Sequence, residues 1–420
     1  MKKLLSLIFG IVLFLPLTAG AAEPSENCRL EQVLMVSRHN IRAPLAGRDS
    51  VLAQITRHSW FPWRVAAGEL SMRGGEMETL MGQYVRERLE RDGLFAPNTI
   101  PVPGEIRFYA NSFQRTIATA RYFSAGMFPV ADVPVEHHFA VNETDPVFLP
   151  GLTDAGDHFL AQAMTEFEAA GGGEAVCRQA ERGCRVLAKV LDFEESPYAA
   201  EHDGTGFSPD SFEICLENGY DIKNSFMPAC KASDALTLQY YEEDNPVRAA
   251  FGHSLTWEEW QTAASVKELG VNLLFRLPTV SKALSAPLLE VAGEELSSKG
   301  RKFTFLCGHD VNLAAILSAL EAEDYVLPDS IEAKTPIGAK LVIEKRRGAD
   351  GREYAAIYLL YPTARQLRQR EMLSLAHPPA VVPIELRGLI KRENGYYLFD
   401  DLMCRMEVSV QAGKGYPSEG

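Results

Sequence analysis

Hydrophobic positions along the chain change their spacing several times, and the changes mark out its elements. Val33-Leu34-Met35-Val36 is an unbroken apolar run, so residues 31–36 are predicted as a buried first strand. From Leu70 to Leu89 the pattern switches to a helical one. Met77, Leu80, Met81, Tyr84, Val85 and Leu89 recur at spacings of three and four. Gly74-Gly75 near its start implies close packing or a loose first turn. Ile106 to Ala110 predicts a second strand, and Asn111-Ser112 can cap a helix beginning near Phe113.

Between about 140 and 299 the pattern is interrupted. Pro146, Pro150, Gly171-Gly172-Gly173 and a polar stretch around 198–233 separate segments of helical period, the clearest at 157–169, 177–192 and 256–285. Strand character returns at Lys302 to Cys307, Leu341 to Lys345 and Tyr354 to Tyr361, the last two joined by a hairpin around Gly348 to Gly351. The organisation predicted is an α/β domain built from 22–139 and 300–420, with a smaller, mainly helical domain of 140–299 inserted. No internal repeat or low-complexity tract is present.

With 420 residues, 46% of them hydrophobic, the chain can bury the large cores this scheme needs. Met1-Lys2-Lys3, the apolar Leu4 to Leu17 and the small residues Thr18 to Ala22 have the layout of a secretory signal, cut most simply after Ala21. The apolar run is short for a membrane span, an uncleaved anchor being the alternative. The expectation is an exported protein without stable membrane association, and a periplasmic location. Loss of Lys2 and Lys3 takes the formal charge from −14 to −16, which argues against nucleic acid as a partner. Cysteines stand at 28, 177, 184, 215, 230, 307 and 404. An oxidising compartment favours pairing, with Cys177–Cys184, Cys215–Cys230 and Cys28–Cys404 as candidates and Cys307, in an apolar run, left as a buried thiol. No cysteine or histidine spacing suggests zinc, and the tandem His137-His138 lacks spaced carboxylates or thiolates.

An acidic protein that handles an anion must concentrate positive charge locally, and this chain does so at strand ends. The first strand runs into Ser37-Arg38-His39-Asn40-Ile41-Arg42-Ala43-Pro44. A histidine between two cations resists protonation and stays a nucleophilic imidazole, while the guanidiniums offer planar forks to phosphate oxygens. The second strand leads to Arg115 in the first turn of a helix. The third ends in Gly308-His309-Asp310 at the start of a helix over Val311 to Leu320. Ligands of open α/β sheets bind beyond the carboxyl ends of the strands, so the three segments can converge on one phosphate. Arg38, Arg42, Arg115 and His309 supply donors, His39 a nucleophile and Asp310 a general acid. Arginine provides the positive charge, so no metal or other cofactor is called for.

Together these residues resemble the histidine acid phosphatases, whose signature Arg-His-Gly-x-Arg-x-Pro stands here as Arg38 to Pro44 and whose His-Asp pair stands as His309-Asp310. The resemblance spans nearly the whole chain after the signal. It is strongest to the bacterial periplasmic glucose-1-phosphatase branch, through Tyr109 to Thr116, Leu236 to Glu242 and Thr335 to Gly338. It implies a mixed-sheet α/β fold with an inserted helical domain and metal-free hydrolysis at acid pH. His39 would be the phosphorylated nucleophile, Arg38, Arg42, Arg115 and His309 the phosphate ligands, and Asp310 the proton donor. Asn40 replaces the signature glycine, as in that branch. Leu45-Ala46 stands where family phytases commonly carry Thr-Lys, and Glu242 resembles the branch's pocket glutamate. Both favour a small sugar monophosphate over inositol hexakisphosphate. The alternatives are a phytase or broad-specificity phosphomonoesterase with the same residues, a mutase-like transferase, and a non-catalytic sugar-phosphate binder. A binder would need neither nucleophile nor general acid.

Overall fold

The computed structural model describes residues 28–47, 50–152, 156–215 and 221–415. The expected signal segment lies outside them. Among the described residues no helix is long and apolar enough to cross a membrane.

In chain order the strands are β1 (Cys28–Arg38), β2 (Ile106–Ala110), β3 (Val135–Glu136), β4 (Phe212–Cys215), β5 (Asp221–Asn224), β6 (Phe303–Gly308), β7 (Lys340–Gly348), β8 (Glu353–Tyr361), β9 (Ala380–Pro383) and β10 (Tyr397–Leu398). A mixed sheet runs β10-β8-β7-β1-β6-β2-β3, with β9 also paired to β8, while β4 and β5 form a separate hairpin. β1 is central. It pairs parallel with β6, Arg38 opposite Gly308, and antiparallel with β7, and β6 pairs parallel with β2. The carboxyl ends of β1, β6 and β2 therefore emerge side by side.

The unbroken apolar character of β1 follows from burial on both faces. Val33 and Met35, with Phe108, Phe303 and Phe305, join the core under helices Met72–Arg91 and Gln114–Met127. Leu34, Val36, Leu306, Leu341 and Ile343 face the other way, into a core with helices Pro278–Ser297, Asp310–Ala319 and Phe399–Lys414. Phe123 stacks on Phe305 at 4.3 Å and closes the first layer over the sheet centre. The α/β reading thus holds, and the α/β class is that of a mixed sheet. Between β3 and β6 the chain is helical apart from the β4–β5 hairpin.

Three local expectations are corrected. The helix expected over 256–285 is interrupted: Trp257–Lys267 passes into a π-helical turn Glu268–Asn272 and a short 3-10 segment. A new helix then starts at Pro278. Proline lacks the N–H that a helix interior needs and is tolerated in a first turn, so Pro278 resets the helix rather than continuing it. Asn111-Ser112 does not cap the next helix. Its N-cap is Phe113, without a side-chain bond, because the Asn111 oxygen is already used by the Ser112 and Asp145 N–H groups. None of the expected disulfides forms, and all seven cysteines are free. Cys177 and Cys184 lie on one continuous helix, Gly172–Val190. At 1.5 Å rise per residue their Cα atoms are roughly 10 Å apart, beyond disulfide reach. The Cys230 thiol donates to Val266 O at 3.7 Å, and Cys215, at the end of β4, is free. Cys28 accepts from Asn394 at 3.6 Å, while Cys404 is exposed. Cys307 is buried, as expected.

A fully buried ion pair ties β7 to helix Met72–Arg91. Lys340 Nζ donates to Glu78 Oε1 at 3.0 Å and to Gly338 O at 2.8 Å, and Asn40 Nδ2 reaches the same carboxylate oxygen at 2.7 Å. Gly74, in the first turn of this helix, lies so close to the loop after β1 that a Cβ there would stand 2.4 Å from Ile41 O. The close packing expected of Gly74-Gly75 is thus against that loop at Gly74 and against the Tyr122 ring at Gly75. Removing one partner of a buried pair strands the other charge. Lys340→Met should therefore destabilise by roughly 3–5 kcal/mol, read as a lowered midpoint in urea unfolding. The double variant Lys340→Met with Glu78→Leu should regain part of that loss.

Candidate active site

The chain leaves β1 at Arg38, and His39 N–H donates to Gly308 O at 3.0 Å, so the loops after β1 and β6 are fastened together at their first residues. The His39 ring is fixed by its own neighbour: Nδ1 lies 2.8 Å from Asn40 O. A carbonyl only accepts, so Nδ1 carries the proton and Nε2 keeps its lone pair. Asn40 is anchored in turn, its oxygen accepting from Ile41 N–H at 2.8 Å and its amide donating to Glu78. The side chain at the unusual position of the motif therefore links the His39 loop to the buried Lys340–Glu78 pair.

His309 follows β6 and heads the helix Asp310–Ala319. Asn111, at the end of β2, donates from Nδ2 to His309 Nε2 at 2.8 Å, its amide orientation set by the two backbone donors at its oxygen. A neutral imidazole accepts at one nitrogen only, so the short Asn111 contact makes Nε2 the acceptor and Nδ1 the protonated nitrogen, and the 3.5 Å approach of Arg115 to Nδ1 is not a hydrogen bond. The two imidazoles meet edge to face with centroids 5.6 Å apart, and Phe113 packs edge-on against His309 at the same separation. Arg115 lies over the Phe113 ring at 4.6 Å and comes within 3.5 Å of His309 Nδ1.

The arginines are buried and differently compensated. Arg38 donates to Glu332 Oε1 at 2.6 Å and Thr335 O at 2.5 Å, with Asp310 at 3.8 Å. Arg42 makes a bidentate pair with Asp234, at 3.1 and 3.0 Å. Among the described residues no carboxylate pairs with Arg115. Burial and then Arg42 bring its guanidinium down to about 10. The Nε atoms of Arg38, Arg42 and Arg115 are all buried without a hydrogen-bond partner. Three orphaned guanidinium donors in one dry site are a strong demand for an anion.

Asp310 accepts from Lys267 Nζ at 2.8 Å and from Asn272 Nδ2 at 3.1 Å. Lys267 also lies 3.3 Å from Asp234, bridging the two acids. Lys267 and Asn272 reach one carboxylate because the π turn between them puts residues five apart on one side. Burial alone would raise both carboxyls. Arg42 and Lys267 outweigh it at Asp234 and hold it at about 2, and Lys267 and Arg38 outweigh it at Asp310, which is held well below the usual carboxylate range. Burial, reinforced by Arg115 and Arg42, pushes His39 well below the ordinary histidine value, and burial with Arg115 does the same for His309.

The structure therefore brings together Arg38, His39, Arg42, Arg115, His309 and Asp310. Glu242 stands one step away: Ser71 Oγ donates to it at 2.9 Å while Ser71 N–H donates to Ile41 O. Burial pushes the Glu242 carboxyl up. His137 and His138 stay outside, one against Phe139 O and the other stacked on Tyr109. Sequence reasoning missed Asp234, Lys267, Asn272, Glu332 and Asn111. The available signal was at Asp234, a lone acid in the otherwise uncharged run Ala232 to Tyr241 of a buried helix.

The pattern of the histidine phosphatase superfamily, branch 2, matches residues 29–360. The chain is 35% identical to the glucose-1-phosphatase of Salmonella typhimurium over 95% of its own length and 97% of that protein's. It is 32% identical to the glucose-1-phosphatase of Providencia rettgeri over 97% and 99%. The apo form of Hafnia alvei phytase has a similar fold, with a TM-score of 0.83 and 25% identity, covering 93% of this chain and 99% of that one. A buried neutral histidine among three buried arginines at the carboxyl ends of parallel strands, the family pattern over residues 29–360 and the likeness to these three proteins lead to one assignment: the chain is a histidine acid phosphatase of the histidine phosphatase superfamily, branch 2.

Proposed function

We propose that the protein hydrolyses small sugar phosphate monoesters, chiefly glucose 1-phosphate, through a phosphohistidine on His39. The observation that carries this reading is the unprotonated Nε2 of His39 beside the three unpartnered guanidinium Nε groups. In this reading Arg38, Arg42, Arg115 and His309 Nδ1–H hold the phosphoryl oxygens. His39 Nε2 attacks phosphorus, the P–N bond forming as the P–O bond to the sugar breaks. Asp310 gives its proton to the departing sugar oxygen. In the second half a water attacks the phosphohistidine, Asp310 takes the water's proton, and phosphate leaves with His39 restored.

Asp310 must be protonated for the first half, yet the free enzyme holds it ionised against Lys267. A bound phosphate dianion supplies the missing force, because a like charge beside a carboxylate raises its pKa. Lys267 has Asp234 as a second partner at 3.3 Å, so Asp310 can give up the ammonium without stranding it. The proton donor is thus armed by substrate.

Substrate choice rests on the rim. Glu242, held to the phosphate loop through Ser71, sets an acid beside that loop, and Leu45-Ala46 supply neither the hydroxyl nor the cation that extra phosphates could use. A second reading, attack on inositol hexakisphosphate, draws on the likeness to the Hafnia alvei phytase. The domain division is part of the proposal: 22–139 with 300–420 supplies nucleophile and cations, and 140–299 supplies Asp234, Lys267 and Glu242. So are removal of residues 1–21 and action in the periplasm. Among the site residues the phosphate is held by cations of the chain itself, and no cofactor enters the scheme.

Phosphate release in the presence of EDTA should favour glucose 1-phosphate over inositol hexakisphosphate at matched concentrations. The reverse order would keep the mechanism and overturn the rim argument. His39→Ala should abolish turnover, and normal turnover in that variant would end the phosphohistidine scheme. Asp310→Asn should slow glucose 1-phosphate by about 10²–10⁴-fold and p-nitrophenyl phosphate, with its good leaving group, much less. The pH profile carries a signed expectation. His39 is depressed, so the neutral nucleophile persists as pH falls, and the acid limb of kcat/KM should lie well below the ordinary histidine value of about 6.5.

A further inference from the structure

Two imidazoles and a carboxylate from three separate segments meet away from the phosphate site. Asp192, which follows helix Gly172–Val190, accepts from His58 Nε2 at 2.7 Å through Oδ2, and its Oδ1 lies 3.4 Å from His253 Nε2. The three donor atoms all lie within 4.8 Å of one another, and among the described residues no other group of three histidine, cysteine or acidic side chains does so. Each arm is braced. Thr56 Oγ1 donates to Leu191 O at 2.7 Å and accepts from His58 N–H at 3.1 Å, fixing the His58 loop to the end of that helix. The His58 ring stacks on Phe251 at 5.0 Å and 4°. Asp192 and Phe251 both take left-handed backbone conformations, φ 46° and 53°, and Gly252 follows at 101°. Aspartate visits that region readily, whereas a bulky aromatic such as Phe251 holds it only where its surroundings impose it.

We propose that His58, Asp192 and His253 form a binding site for a borderline divalent transition ion, with Zn²⁺ as the type. Imidazole nitrogen favours such ions over Mg²⁺ or Ca²⁺, which take oxygen ligands. Tetrahedral ligation with bonds of about 2.0–2.2 Å sets donor atoms roughly 3.4 Å apart; the His253–Asp192 contact is at 3.4 Å already, and the 2.7 Å His58–Asp192 hydrogen bond opens as the ion replaces its proton. Both histidines need only shift their ring proton from Nε2 to Nδ1, and water completes the coordination. The ion would fasten the loop carrying Trp60 and Trp63 to the helical segment. That loop lines a cleft of about 650 Å³ reaching Ala43 and Pro44, next to the phosphate loop. The site is therefore structural toward one wall of the cleft, and hydrolysis at His39 does not pass through it.

Calorimetric titration of the chelator-stripped full chain with Zn²⁺ at neutral pH tests the site. One ion per chain is expected. His58→Gln and His253→Gln should each weaken binding by more than the roughly tenfold that losing an outer-shell partner costs, with unchanged circular dichroism. The double variant His137→Gln/His138→Gln should bind as the parent does. No saturable binding by the parent, or parental affinity in both single variants, overturns the proposal.

Discussion

Everything at this site follows from keeping three guanidiniums in one dry space. Like charges close together in a low-dielectric interior repel strongly, and an unpaired buried cation is costly. The structure meets this by assigning Arg38 to Glu332 and Arg42 to Asp234, and leaves Arg115 without a carboxylate among the described residues. The site is thus neutralised incompletely. The remaining positive field depresses both histidines and leaves an anion as the missing counter-charge. Sheet topology is what makes the crowding attainable, because β1, β6 and β2 are parallel neighbours whose carboxyl ends lie side by side.

The same field sets the two halves of the proposed chemistry against each other. It favours a neutral nucleophile, which suits His39, and an ionised Asp310, which does not suit a proton donor. A dianionic substrate reconciles them by cancelling the field locally. Lys267, shared between Asp234 and Asp310, gives that change a mechanical counterpart within the chain. The helices between β3 and β6 contribute the carboxylate of Asp234 and the ammonium of Lys267, which pair with Arg42 and Asp310.

The parts of the fold and site that could be read from sequence were local. β1, β2, β6 and the β7–β8 hairpin carry their own apolar patterns, and Arg38, His39, Arg42, Arg115, His309 and Asp310 each sit within a few residues of a strand end. What sequence did not reveal depends on long-range pairing. Asp234 and Lys267 belong to helices far along the chain from Arg42 and Asp310, and nothing in their neighbourhoods names a partner. The helix expected over 256–285 was misread because hydrophobic period alone does not register Pro278 as a restart. The expected cysteine pairs came from counting thiols in an oxidising compartment, and Cys177 and Cys184 show why counting is not enough. Residues close in sequence are held apart when one rigid helix carries both.

The π turn Glu268–Asn272 has a consequence for how this site can vary. In an α-helix, residues five apart lie about 140° from each other around the axis. Lys267 and Asn272 both meet Asp310 only because the turn holds one residue more than a regular helix would. The number of residues in that segment is therefore itself a functional parameter. A single-codon deletion there, harmless to composition and hydrophobic pattern, would rotate one of the two donors away from the acid. Chain length, rather than side-chain identity, is what the segment encodes.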